Sequence, residues 1–118
     1  MVTDRSPQFV AKEIIREQLY HQLGKELPYA SAVAIEQWED RGGDLVVKAA
    51  IVVERDSQKA IVVGRGGSRV RELGIAARTA LTAALGKPVH VVLFVKVIEA
   101  WSSGEAALRE LGYGGDGS

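Results

Sequence analysis

Gly64-Arg65-Gly66-Gly67-Ser68-Arg69-Val70-Arg71 is the stretch of this 118-residue chain whose residue types and spacing could do chemistry. Three glycines in four positions allow a tight turn and leave no Cβ to hold another group away. A helix beginning just past them presents free N–H groups and the positive end of its dipole to whatever occupies the turn. Ser68 reads as the N-cap of that helix. Arg65, Arg69 and Arg71 add full positive charge. The chemistry this suits is the holding of a phosphate, with no bond made or broken. A P-loop is excluded, because Lys followed by Ser or Thr must come after its last glycine, and here Ser68 and Arg69 do. A dinucleotide-binding G-x-G-x-x-G is excluded too, because position 69 is arginine. A glycine cluster between helices also serves as a plain turn, so the surroundings must decide.

Charge is the first of those surroundings. The net charge is zero, but its distribution is not even: residues 1–56 carry −3, residues 57–98 carry +6 and residues 99–118 carry −3. The basic middle (Lys59, Arg65, Arg69, Arg71, Arg78, Lys87 and Lys96 against Glu72 alone) coincides with the glycine loop. That coincidence is an electrostatic footprint for a polyanion. Arg78 and Lys87 read instead as solvating a helix face. Cysteine is absent, which excludes disulfides, zinc fingers and thiol catalysis. No apolar run approaches the ~20 residues of a membrane span, and the N-terminus shows no signal-peptide core. His21 and His90 have no acidic partners at metal-ligand spacing; His21 reads as a surface residue and His90 as structural. No two carboxylates are placed for acid–base work.

The elements that must position the loop follow from periodicity and punctuation. Residues 1–7 read as a linker. From Gln8 a helix shows an apolar stripe through Val10, Ile14, Leu19 and Leu23, with Phe9 and Ile15 beside it, and Gly24 and Pro28 end it. Residues 31–38 alternate as a half-exposed strand, residues 39–44 form a polar hairpin loop, and residues 45–54 form a nearly all-apolar central strand. Residues 58–63 are too short for a further strand with its connection and read as one or two helical turns. Residues 68–85 form the longest helix, with Val70, Leu73, Ala77, Leu81 and Leu85 at helical period. Residues 89–98 form an apolar strand and residues 105–111 a last short helix anchored by Trp101. Residues 114–118 read as a disordered tail. The order α-β-β-α-α-β-α predicts an α+β fold: a three-stranded mixed sheet with one parallel pair joined by a crossover, and helices packed on one face.

Gly64 to Gly67 between two helices has the G-x-x-G spacing with which KH domains clamp about four backbone nucleotides of a single strand. The wider match is more specific. Thr3-Asp4-Arg5, Glu13-Ile14-Ile15-Arg16-Glu17, Glu26-Leu27-Pro28-Tyr29, Val53-Glu54-Arg55, Gln58-Lys59, Val63-Gly64-Arg65-Gly66-Gly67, Val89-His90, Trp101 and Leu108-Arg109-x-Leu111-Gly112-Tyr113 span nearly all of residues 3–113. On these residues the chain resembles the C-terminal type II KH domain of the Era family of bacterial ribosome-assembly GTPases. The family's GTPase domain is missing from it. The resemblance implies a fragment beginning at an interdomain junction: residues 1–7 as linker from the GTPase domain, residues 8–113 as the KH domain, and Met1 as an added start.

The resemblance further implies single-stranded RNA as ligand, specifically the 3′ end of small-subunit ribosomal RNA, and a role in small-subunit assembly. It implies the small ribosomal subunit and the missing GTPase domain as partners. The chain is expected to be a monomer, to hold no cofactor and to catalyse nothing. GTP and Mg belong to the missing domain, and the location is cytoplasmic, peripheral at the inner face of the membrane. The RNA backbone is assigned to Gly64, Arg65, Gly66 and Gly67, with Lys59, Arg69 and Arg71 as phosphate contacts. Val62, Val63, Val70 and Ile75 are candidates to line an apolar groove for the bases, core packing being the competing reading for each. Lys48 on the sheet is a further cationic candidate, and Trp38 a candidate for base stacking. The alternative function is a protein-interaction domain that keeps a KH shell and docks on a GTPase domain or a ribosomal protein.

Overall fold

The computed structural model describes residues 6–99. Helix α1 (Pro7–Leu23) starts where the chemistry of its first residues dictates: the Ser6 hydroxyl accepts the N–H of Phe9 at 3.2 Å, and Pro7 takes the first helical position. Ser6 and Pro7 therefore belong to the helix rather than to a linker. The buried row of α1 is Ala11, Ile15, Leu19 and Leu23, strictly four apart, while Phe9 is exposed. Of the expected stripe, Leu19 and Leu23 are buried and Ile14 packs partly against the core, while Ala11 and Ile15, rather than Val10, complete the buried row. Gly24 ends the helix, its N–H donating to the Tyr20 carbonyl.

Strand β1 (Ala32–Asp40) runs antiparallel to β2 (Leu45–Val53), and β2 runs parallel to β3 (Val89–Val97). The parallel register is continuous, from Leu45 opposite Val89 to Val53 opposite Val97. A parallel pair needs a long crossover, which α2 (Asp56–Val63) and α3 (Ser68–Leu85) supply. Helix α2 forms although Ile61, Val62 and Val63 favour strand by propensity. Its start is fixed by Gln58, whose carboxamide oxygen accepts the N–H groups of Glu54 and Arg55 at 2.9 and 3.1 Å. Its last turn buries Val62 in the helix–sheet core, and it stops at Gly64, whose N–H donates to the Ala60 carbonyl.

All three helices lie on one face. The core joins Ala11, Ile15, Leu19 and Leu23 to Val62, to Leu73, Ala77 and Leu81 of α3, and to the odd-numbered residues of β2. The predicted α+β architecture, three-stranded and mixed, is the observed one; the predicted helix over 105–111 and Trp101 lie outside the described residues. Between Ile35 and Gln37 the β1 register shifts by a bulge. One extra residue inverts the alternation beyond it. Trp38 consequently packs on the helix-side core with Val33 and Ile35 and offers no stacking platform. Lys48 lies on the opposite face, its ammonium 5.4 Å from the centroid of the Phe94 ring, so it is remote from the glycine loop.

The β1–β2 turn is tied to the end of α3. Lys87 Nζ donates to Asp40 Oδ1 at 2.8 Å, and the same carboxylate accepts the N–H of Gly42 at 2.9 Å. The Lys87 hydrogen bond first, and the Gly42 N–H second, hold the Asp40 carboxyl below its ordinary range. A depressed carboxyl pKa contributes stability that is complete above the unfolded value, about 4, and is lost as pH falls through the folded value. Replacing Lys87 by Met is expected to raise the Asp40 pKa in an NMR titration and to flatten the acid limb of the stability curve. An unchanged Asp40 titration would show that the contact is absent in solution. His90 Nε2 lies 2.9 Å from Asp44 Oδ2 and ties the same turn to β3, while His21 is exposed on α1.

Candidate nucleic-acid interface

The glycine loop connects α2 to α3, and each glycine serves a different purpose. Gly64 has φ 75 and ψ 174. A Cβ there would lie 2.6 Å from Arg69 Cβ and 2.9 Å from Arg69 N. The end of α2 and the start of α3 approach closely only because that atom is missing. Gly66 (φ 61, ψ 21) and Gly67 (φ 78, ψ 11) are left-handed, but a Cβ on either would meet nothing within 4 Å. Gly67, not Ser68, is the N-cap of α3, and Ser68 is its first helical residue. No side chain caps this end of the helix; the Ser68 N–H donates to the Arg65 carbonyl and the Gly67 N–H to the Gly64 carbonyl, so the 3-10 turn itself closes the helix start. Arg65 and Gly66 are exposed at the tip.

The cations of the basic middle separate into two groups. Arg69 donates to Glu26 Oε1 at 2.8 Å and to the Ile61 carbonyl at 3.3 Å. Lys87 is paired with Asp40 and Lys96 with Glu36, each at 2.8 Å. Arg69, a phosphate candidate by sequence, clamps the loop to the 3-10 turn Gly24–Glu26. Lys59, Arg65, Arg71 and Arg78 form no ion pair among the described residues, and all four are exposed.

A groove of about 330 Å³ runs between α3 and β3, lined by Arg71, Gly74, Ile75, Arg78, Val91, Val92 and Leu93. Positions 71, 74, 75 and 78 form one helical stripe, adjacent to the stripe of Leu73, Ala77 and Leu81 that enters the core. Of the apolar candidates, Ile75 is 53% exposed and lines the groove. Val62 is completely buried and cannot. Val63 and Val70 are half-buried against the core and stand outside the groove lining. Arg78, which sequence alone assigned to a solvated helix face, is in the lining, as are Gly74 and the β3 residues. Among the described residues β3 pairs only with β2, so it forms an edge of the sheet, and Val91, Val92 and Leu93 lie along that edge. A second depression, on the α1 side of the loop, is lined by Lys25, Glu26, Ile61, Arg65 and Arg69 among others. The Arg69–Glu26 pair occupies it, so part of its charge is already matched.

A family model described as "KH domain" matches residues 26–102. Among curated proteins, the GTPase Era of Bordetella avium is 44% identical over 112 residues, and that of Xanthomonas oryzae pv. oryzae 49% over the same length. Each alignment covers 95% of this chain and 38% of the relative, so the chain spans well under half the length of these proteins. Among solved structures, an Aquifex aeolicus Era bound to GDP and AlF4− superimposes with a TM-score of 0.82 at 35% identity, over 97% of this chain and 39% of that one. An Era in complex with MgGDPNP and nucleotides 1506–1542 of 16S ribosomal RNA matches equally well.

Proposed function

Because the chain belongs to the KH-domain family, we propose that it binds single-stranded RNA, with the backbone over residues 64–67 and bases in the groove between α3 and β3. One observation carries this reading: α3, the helix that the glycine loop opens, forms one wall of a groove lined by Ile75, Val91, Val92 and Leu93 and bordered by Arg71 and Arg78, which form no ion pair among the described residues. Flat apolar surface accepts bases and unpaired guanidinium groups accept phosphates. Apolar surface of this kind suits the unstacked bases of a single strand rather than a duplex. The Era complex with nucleotides 1506–1542 of 16S ribosomal RNA supports the 3′ end of small-subunit RNA as the target. The small subunit is then the larger partner, and assembly in the cytoplasm the process. The relatives' additional length supports a GTPase domain acting alongside this one. Nucleotide and Mg would be handled there, and the present chain would bind without catalysing. Lys59, Arg65, Arg71 and Arg78 are the phosphate contacts of this proposal. A purely protein-docking role leaves this alignment of exposed cations with the glycine loop and groove without a use.

The test is a titration with single-stranded RNA of nucleotides 1506–1542 and with the same sequence annealed to its complement, at two salt concentrations. The single strand is expected to bind at least tenfold more tightly. With four phosphate-contacting cations, the slope of log K against log salt should be on the order of −3. Equal binding of both forms with a steeper slope would identify a nonspecific basic patch.

A further inference from the structure

Gly74 stands in the middle of α3, where glycine is the poorest helix former apart from proline. The described glycines that bound helices have positive φ, and Gly64 is also required by its contact with Arg69. Gly74 has neither reason. Its backbone is helical, and a Cβ built on it would meet nothing within 4 Å. Nothing among the described residues packs into the space that the missing side chain leaves. That space opens into the groove, with the exposed Ile75 beside it and Arg71 and Arg78 one turn to either side. Across the groove, Val91, Val92 and Leu93 are consecutive. Side chains of a strand alternate between faces, so three consecutive residues line a groove only when its wall includes the strand's backbone edge.

From this arrangement, and resting on the RNA-binding reading above, we infer that Gly74 is a specificity-determining residue: the bare helix surface on which one nucleobase lies flat, with its polar edge toward the backbone edge of β3. Ile75 covers the side of that base, and Arg71 and Arg78 meet the phosphates before and after it. The missing Cβ sets the depth of the groove. A methyl group at position 74 would lift the base away from the helix and spoil its alignment with the strand edge. The helix thus carries a residue that weakens it, in the one place where the weakness creates room for a ligand.

The experiment compares wild type, Gly74→Ala and Gly74→Leu by fluorescence anisotropy with RNA of nucleotides 1506–1542, beside thermal unfolding. Because the space is open, both variants should fold, and Gly74→Ala should unfold about 4 °C higher than wild type. RNA affinity should fall about tenfold for Gly74→Ala and further for Gly74→Leu. Repeating the titration with RNAs that each carry one abasic nucleotide should reveal one position at which wild type and Gly74→Ala bind equally. Undiminished affinity in Gly74→Ala would overturn the inference, as would a lower unfolding temperature or a loss of affinity that no abasic position removes. If wild type itself fails to bind the RNA, the RNA-binding reading falls and the role of Gly74 falls with it; if wild type binds and Gly74→Ala binds equally, only the role of Gly74 falls.

Discussion

Arg65→Asp combined with Gly66→Asp is expected to abolish RNA binding while the protein stays folded. Both residues are exposed at the loop tip, so neither contributes to the core. Gly66 sits at φ 61 and ψ 21, a left-handed conformation that aspartate tolerates better than most residues, and its Cβ would meet nothing within 4 Å. The stability loss should therefore be about 1 kcal/mol, the cost of placing a side chain in that region. Binding suffers far more. Losing one charge-assisted hydrogen bond to phosphate costs about 1.5–3 kcal/mol, and two carboxylates placed against the RNA backbone add repulsion. A loss of at least a hundredfold follows, at 1.4 kcal/mol per factor of ten. Parallel thermal unfolding and RNA titration measure the two effects. A double variant that unfolds near the wild-type temperature and binds RNA normally would show that the glycine loop holds no phosphate.

Gly64→Ala should do the opposite and damage the fold. Its φ of 75 with ψ of 174 is a region essentially reserved for glycine. The new Cβ would be driven to 2.6 Å from Arg69 Cβ and 2.9 Å from Arg69 N. Those atoms belong to the first turn of α3 and move only if the helix moves. Backbone strain of about 1–3 kcal/mol and overpacking of about 1–3 kcal/mol together approach the whole stability of a small domain. The unfolding temperature should drop by about 15 °C or more. Gly67→Ala is the matched comparison: its φ of 78 carries strain, but nothing lies within 4 Å of the new atom, so about 1–2 kcal/mol is expected. The two glycines look equivalent in sequence, both being placed where helix backbones meet the loop, and only Gly64 is required by contact. Equal destabilisation by the two substitutions, measured by urea unfolding, would show that the α2–α3 approach is looser than described.

The architecture was legible because glycine, proline and periodicity punctuate this chain clearly. Residues 45–54 read as a central strand from composition alone, and the strand observed is Leu45–Val53; α3 is bounded by glycines at both ends. Helix α2 was legible only by length, since its β-branched residues argue for strand. The bulge at Glu36 was not legible, and it reversed the side on which Trp38 falls. Nor was the Arg69–Glu26 pair, whose partners are 43 positions apart. Around the proposed site, the placement of the glycine loop between two helices and the exposure of Arg65 and Arg71 were readable from type and spacing. Val62 was misplaced because the last turn of a short helix can face either way until the sheet is present. Arg78 was missed for a different reason. A helix that faces both a core and a groove carries two stripes, and the apolar one dominates the eye. The second stripe was there to be found: Arg71, Gly74, Ile75 and Arg78 follow i, i+3, i+4, i+7.

The in-register parallel pairing of β2 with β3 also bears on how the chain reaches its working state. The β1–β2 hairpin closes a turn of a few residues, whereas β3 meets β2 only after the whole of residues 54–88 has been looped out. Loop-closure entropy makes the long pairing the slower and more costly contact to establish. One wall of the groove is α3, inside that loop, and the other is β3, beyond it. A chain that has formed its hairpin and its helices but has not docked β3 possesses the glycine loop and its arginines, yet has no groove. Recognition of bases is thereby made conditional on completion of the fold, whereas attraction of phosphate is not.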